Sequence, residues 1–257
     1  MSILQNAAEV LRCFSTETPE LTVTDVAVRL DLPKASASRL MKAMREAGML
    51  ETVGLSKRHR PGLLLLDLAA AFRSSSRLIT RASAAVAKVS RQFGHTGYVS
   101  IRDRREVTAV VDFEGTNALR VVSNIGRRLK AHESATGRTL LARMPDPAIA
   151  ALYGDHPGLA EVMRHVTRVR ENGFAYSNQE ATPGVDAIAL SVADPMSDEA
   201  VSLCVVFPHA LVDEAARMEI VSTLAEEAAR IADELGDTAF VAPRSAVTPV
   251  TEKGLPE

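Results

Sequence analysis

The stretch "DLPKASASRLMKAMREAGMLE", residues 31–51, decides how the chain is read. On a helical wheel at about 100° per residue, Ala37, Leu40, Met41, Met44 and Ala47 fall on one arc. Lys34, Ser38, Arg39, Lys42 and Arg45 fall on the opposite arc, with only Glu46 against them. The apolar arc suits a helix docked on a small core, and Gly48 stands where a left-handed C′ glycine ends such a helix. A basic helix face is, taken alone, an ordinary solvated surface, so its neighbours must decide what it does.

Upstream, "SILQNAAEVLRCF" places Ala7, Val10, Leu11 and Phe14 at helical spacing, and Pro19 in "ETPEL" breaks the run. In "TVTDVAVRL", Thr22 or Thr24 can cap a helix whose apolar side is Val26, Ala27 and Leu30, with Asp25 in its first turn. "DLP" is a tight connection, and Pro33 suits the first turn of the next helix. Downstream, "MLETVGLSKRHRPGLLLL" reads as two short strands around a tip carrying Lys57, Arg58, His59 and Arg60. Helix, helix, short turn, basic helix and basic hairpin form the order of a winged helix-turn-helix, whose second helix enters the major groove.

Charge distribution agrees with that order. Residues 34–60 hold seven cations, Lys34, Arg39, Lys42, Arg45, Lys57, Arg58 and Arg60, against Glu46 and Glu51, whereas the whole chain of 257 residues carries a net −2. A basic island in an acidic chain is the footprint of a nucleic-acid-binding module joined to something else. Chemistry then suggests roles. Arg39 can pair bidentately with guanine O6 and N7, and Ser38 is short enough for a base edge or a phosphate. Lys34, Lys42, Lys57, Arg58 and Arg60 suit the phosphate backbone or the minor groove. Ser36 lies at the border of the apolar arc, where a local cap or packing role competes with DNA contact, and solvation accounts equally well for Arg45.

Composition bounds the rest. Apolar residues make up 46%, enough for two cores, and aromatics only 4% with no Trp, which disfavours a stacking platform for single strands. Cys13 and Cys204 both lie in apolar runs and read as buried small hydrophobes of a reducing compartment. The N-terminus lacks the pattern of a signal peptide, and "GLLLLDLAAAF" is too short to span a bilayer, so the expectation is a soluble, cytoplasmic protein without membrane contact.

Two helical stretches separated by the serines 74–76 place a domain boundary near Ser75. Beyond Gly94, "TGYVSI", "EVTAVVDF" and "ALRVVSN" read as strands, then "SATGRTLLARM" and "LAEVMRHVTRVRENG" as helices. "VDAIALSVAD" and "AVSLCVVF" read as strands, "LVDEAARMEIVSTLAEEAARIADEL" as a long helix, and residues 242–257 as a disordered tail. The expected class is α+β in two domains: a winged helix-turn-helix over 1–75 including the start of a linker helix, and a sensory α/β domain over 76–241.

One segment of the second domain carries chemistry. In "LKAHESATGRTLLA", residues 129–142, Ser134 can cap a helix starting near Ala135. The backbone N–H groups of Ala135, Thr136 and Gly137 would then face an anion with the positive end of the helix dipole, although an ordinary capped helix satisfies the same pattern. "GFAYSNQEATPGVDAIAL" offers Ser177, Asn178 and Glu180 in a polar loop that enters a buried strand, or simply a surface loop. Six scattered histidines show no HxxxH or CxxC partner, and no nucleophile elbow, Walker A loop or GxGxxG is present. No catalytic residue, metal ligand or cofactor is therefore expected.

"LTVTDVAVRLDLPKASASRLMKAMREAGMLE", "HESATGRTLLA" and "ENGFAYSNQEATPGVDAIALSVAD", in this order, resemble the isocitrate-lyase-regulator (IclR) family of bacterial transcription regulators. The resemblance runs from about Ile3 to Leu235. It implies a winged helix-turn-helix, a linker helix and a GAF-like effector domain, in a homodimer or tetramer that binds palindromic double-stranded promoter DNA. Its effector would be a small organic or aromatic acid, and its mode of action repression. By position, the family's pocket maps to Val121, Leu129, Ala135, Thr136, Ser177, Val185, Ala187, Cys204 and Val206. Cys204 and Val206 stand where relatives often carry hydroxyls, and Glu133 replaces a small residue, so the resemblance implies a less polar pocket and an unexplained carboxylate beside it. An enzyme or sensor with a non-DNA-binding N-terminal module, or an adaptor using the basic face, are the competing readings.

Overall fold

The computed structural model describes residues 2–122, 126–154 and 156–243. They form two compact units that divide between Arg77 and Leu78, with residues 126–127 counted in the first. The expected disordered tail falls mostly outside the described residues.

In the first unit, α1 (Ile3–Arg12), α2 (Val23–Arg29) and α3 (Lys34–Glu46) enclose a core of Val10, Leu21, Val26, Met41, Met44 and Leu50. Capping residues set the helix ends. Thr22 accepts from the Asp25 N–H (3.2 Å) while the Asp25 carboxylate accepts from the Thr22 N–H (2.8 Å), a reciprocal capping box. Pro33 is the N-cap of α3 rather than a residue of its first turn. Gly48, at φ +76°, turns the chain out of α3, and the Met49 N–H closes back on the Met44 carbonyl (2.9 Å). The wing is a three-stranded antiparallel sheet, with β3 (Arg58–Pro61) between β1 (Leu21–Thr22) and β2 (Leu50–Thr52). α4 (Leu63–Ser75) then buries none of its residues.

The second unit is built on one antiparallel sheet of six strands in the order β6-β5-β4-β9-β8-β7. The strands are β4 (Thr96–Asp103), β5 (Glu106–Phe113), β6 (Arg128–Lys130), β7 (Ala175–Asn178), β8 (Val185–Asp194) and β9 (Glu199–Pro208). Side-chain alternation divides the apolar residues between two layers. Ile188, Leu190, Val192, Leu203, Val205 and Phe207 face α5 (Arg77–Phe93) and α9 (Glu214–Leu235) in the main core. Each such fully buried side chain contributes about 1.5–3 kcal/mol. Val185, Ala187, Ala189, Cys204 and Val206 belong to a separate cluster that includes Ala135 of α6 (Ala135–Ala142) and Val169 of α8 (Leu159–Asn172). α7 (Asp146–Tyr153) and α8 enclose a third cluster around Tyr153, Ile149 and Val166.

Two sequence expectations are corrected here. Among the described residues, "ALRVVSN" forms no strand over 118–122. The chain there is tied back by the Thr96 hydroxyl, which donates to the Val121 carbonyl (2.5 Å), while the Gly94 carbonyl accepts from the N–H groups of Thr116 and Asn117 (3.0 and 3.1 Å). Conversely, the start of "AYSNQEATPG" is no loop. Residues 175–178 are strand β7, in register with β8 from Ala175↔Ala189 to Asn178↔Asp186.

Candidate functional site

The basic face of α3 stands in solvent. Lys34, Ser38, Arg39, Lys42 and Arg45 are exposed, Ser36 is half-buried, and Ala37, Met41 and Met44 hold the opposite side in the core. The cations differ in how far they are compensated. Arg60 is ion-paired across the wing with Glu51 (2.5 Å) and Lys42 approaches Glu46 (3.8 Å). Arg58 donates to the Glu20 carbonyl (3.3 Å), and Arg45 reaches Thr52 Oγ1 (3.4 Å), linking α3 to β2. Among the described residues, Lys34, Arg39 and Lys57 make no ion pair, so their charge is open to a polyanion.

His59 is buried in the central strand of the wing, with Nδ1 unpartnered. Burial first, then the nearby Arg45, lowers its pKa below the usual histidine value.

The second candidate site is the N-terminus of α6. Ser134 Oγ accepts from the Gly137 N–H (3.1 Å), and the Arg138 N–H is taken by the Ser134 carbonyl (3.0 Å). The first two N–H groups of the helix, those of Ala135 and Thr136, have no intrahelical acceptor. A Cβ on Gly137 would stand 2.2 Å from the Ala131 carbonyl oxygen, so only glycine lets this turn pack so closely. Ala135 enters the cluster of Ala175, Ala189, Cys204 and Val206, with Val121, Val185, Ala187 and Tyr98 packed against it. Thr136, on the same turn, lies beside the Cys204 thiol, which burial pushes up to about 11.

Of the nine residues assigned by resemblance, Val121, Ala135, Val185, Ala187, Cys204 and Val206 therefore share one cluster. Thr136 joins it through Cys204, and Ser177 is buried on β7 opposite Ala187. Leu129 does not join them, because it packs instead against the cluster of Val107, Leu140 and Tyr153. Glu133 turns outward to Lys130 (2.9 Å), which holds its carboxyl below the usual range. The unexplained carboxylate is thus engaged on the surface. Tyr98, Val169, Ala175 and Ala189 are members that sequence reasoning missed. Ala189 was within reach, two residues along the strand from Ala187, but Val169 arrives from a helix whose placement no local pattern reveals.

A winged helix-turn-helix whose Lys34, Arg39 and Lys57 make no ion pair among the described residues, joined to a six-stranded α/β unit, defines the class of two-domain DNA-binding regulators. Residues 3–54 match the IclR helix-turn-helix domain, and residues 70–233 match the bacterial transcriptional regulator IclR C-terminal domain. The chain belongs to the IclR family of bacterial transcriptional regulators.

It is similar to the transcriptional regulator XynR of Escherichia coli (26% identity over 74% of this chain and 79% of that protein). It also resembles the transcriptional repressor AllR of the same species (20% identity over 82% of each). An IclR homologue from Microbacterium hydrocarbonoxydans, crystallised with 4-hydroxybenzoate, shares the fold at a TM-score of 0.75 (20% identity, 92% of this chain and 100% of that one). Among the described residues, no helix is long and apolar enough to cross a membrane, and no cluster of His, Cys, Asp and Glu could hold a metal ion.

Proposed function

We propose that the chain is a repressor that binds a palindromic promoter site as a homo-oligomer and changes its affinity when a small aromatic or organic acid occupies the second unit. The observation that carries the DNA part is the open charge of Lys34, Arg39 and Lys57 around a helix of major-groove type. Arg39 is the base reader and Ser38 its neighbour. Lys34, Lys42, Lys57 and Arg58 hold phosphates, with Ser36 and Arg60 at the margin because one is half-buried and the other paired.

For the effector, the uncapped N–H groups of Ala135 and Thr136 offer a carboxylate seat. Val121, Val185, Ala187, Cys204 and Val206 supply the apolar wall, and Ser177 a hydroxyl. Leu129, on β6 itself, supports the site from the neighbouring cluster. The Microbacterium homologue's ligand is of this chemical type. An effector preferring one arrangement of the DNA-reading units would shift operator affinity ten- to a hundredfold with about 1.4–2.8 kcal/mol of coupling.

Palindromic binding needs a two-fold partner. α4 leaves Leu63, Leu64, Leu66, Leu68 and Phe72 exposed, a bare apolar helix that a second copy of the chain would cover. Leu66→Asp should convert the oligomer to a monomer in sedimentation equilibrium, and an unchanged mass would exclude α4 as the interface.

The deciding experiment selects bound fragments from sheared genomic DNA of the source organism at about 150 mM salt, which suppresses non-specific contacts. Recovery of a palindrome that Arg39→Ala no longer recovers supports a sequence-reading regulator. Equal recovery by both proteins refutes that role for α3. An enzyme with a merely helical N-terminal module would instead enrich nothing.

A further inference from the structure

The apex of the wing is apolar. Between β2 and β3 the chain turns through Val53, Gly54, Leu55 and Ser56, and Leu55 exposes its whole side chain to solvent. The turn is rigidly closed. The Ser56 N–H donates to the Val53 carbonyl (3.0 Å), the Val53 N–H donates to the Arg58 carbonyl (3.0 Å), and the Arg58 N–H donates to Ser56 Oγ (3.1 Å). Gly54 adopts φ +54°, the left-handed conformation that places the next residue at the apex. The other exposed leucines of this unit lie elsewhere, Leu4 on α1 and Leu63, Leu64, Leu66 and Leu68 on α4, so Leu55 is no part of that bare face.

Its neighbours define its surroundings. Lys57 and Arg58 follow it after Ser56, and Lys57 makes no ion pair among the described residues. Two cations beside an apolar apex match a minor groove about 6 Å wide, where phosphates line both walls and base edges form the floor. Proteins that enter that groove commonly insert an apolar side chain between base steps and part the stack. We infer that Leu55 is an apolar wedge that enters the minor groove beside the major-groove contact of α3, resting on the DNA-binding reading of this unit. The structure presents it preformed, so no ordering of the tip accompanies insertion. Because pyrimidine–purine steps unstack most readily, the wedge would add preference for a TA or CA/TG step at the position where the wing lands, without a hydrogen bond to any base.

The test starts from a duplex enriched out of a random-sequence 40-base-pair pool by the full-length chain. Adenines of that duplex are then replaced one at a time by 2-aminopurine, whose fluorescence rises on unstacking. With the parent chain, fluorescence should rise at one step in the flank of the site. Leu55→Ala should abolish the rise and weaken binding about tenfold with an unchanged salt slope, and Leu55→Phe should restore the rise. Lys57→Ala should do the reverse, keeping the rise while reducing the salt slope by about one. Since Leu55 packs against nothing, these variants keep their fold.

Equal fluorescence and affinity for the parent, Leu55→Ala and Leu55→Ser overturns the wedge while leaving the DNA reading intact. A pool from which the parent enriches nothing overturns the DNA reading, and the wedge with it.

Discussion

Ser134 allows the helix end to be tested for stability and for ligand chemistry separately. Its hydroxyl is the acceptor for the Gly137 N–H at 3.1 Å, in a site that water barely reaches. Ser134→Ala removes that acceptor. Loss of an N-cap of this type costs about 0.5–2 kcal/mol, and a buried N–H left unpaired about 1–3 kcal/mol. At about 2–4 °C per kcal/mol for a unit of this size, a loss of about 1–3 kcal/mol should lower the melting temperature of the second unit by roughly 2–12 °C.

Ser134→Asp restores an acceptor and places a negative charge at the positive end of α6, so stability should return to near the parent value. The same carboxylate would lie about 5 Å from an anion seated on the Ala135 and Thr136 N–H groups. With an effective dielectric of about 20, that repulsion is about 3 kcal/mol, or roughly a hundredfold in affinity. The assay is calorimetric melting of each variant followed by titration with 4-hydroxybenzoate. If Ser134→Asp melts like the parent and also binds the acid with the parent affinity, no carboxylate sits on this helix end.

Three further outcomes follow from the same geometry. With the Cys204 thiol raised to about 11 by burial, only about one molecule in a thousand carries its thiolate at pH 8, so iodoacetamide should modify the half-buried Cys13 first. Mass spectrometry showing equal rates would refute the buried setting of Cys204. Asp237, buried beneath Arg143 and accepting from the Ala193 N–H (2.8 Å), ties the end of α9 to β8, and Asp237→Ala should cost about 3–5 kcal/mol by stranding the arginine, as read by urea unfolding. His59 has a folded pKa below its unfolded value of about 6.5, so its contribution is complete above that pH and is lost as pH falls through 6.5 toward the lowered value. Melting between pH 7.5 and 5.5 should therefore be less pH-dependent in His59→Leu, and an identical slope would show that His59 does not titrate on unfolding.

The first unit was legible because its determinants are local. Apolar spacing, the Thr22–Asp25 pair and Gly48 each act within one turn of the chain, and each marks a boundary that the fold keeps. β1 was not legible, since two residues become a strand only when β3 arrives as a partner, Leu21 opposite His59. The same dependence explains β7, whose Ser177 and Asn178 read as turn residues until β8 pairs with them. In the opposite sense, the β-branched pair Val121–Val122 reads as strand, but the Thr96 hydroxyl holds the Val121 carbonyl. For the second site, alternation along β8 and β9 identifies Val185, Ala187, Cys204 and Val206 as one face. Period alone does not separate Leu129 from them, because a three-residue strand at the sheet edge packs against whichever helix lies nearest.

That composition also bears on which acids the chain would accept. The wall offers Val121, Val185, Ala187, Cys204 and Val206, while its polar groups are few: the Ser177 hydroxyl, the Thr136 hydroxyl beside Cys204, and two helix N–H groups. A monocarboxylate with an aromatic ring satisfies the N–H groups with its anion and buries its ring against the wall. A polyhydroxylated sugar acid brings the same anion, but several of its hydroxyls would lose water without finding a partner, at about 1–3 kcal/mol each. Two such hydroxyls correspond to a factor of at least about thirty in affinity. Thermal shifts at matched concentrations should therefore be large for benzoate and 4-hydroxybenzoate and near zero for gluconate. Cys204→Ser, which adds a hydroxyl where the thiol stands, should narrow that gap. A parent chain stabilised more by gluconate than by 4-hydroxybenzoate would mean that the apolar cluster is not where the acid binds.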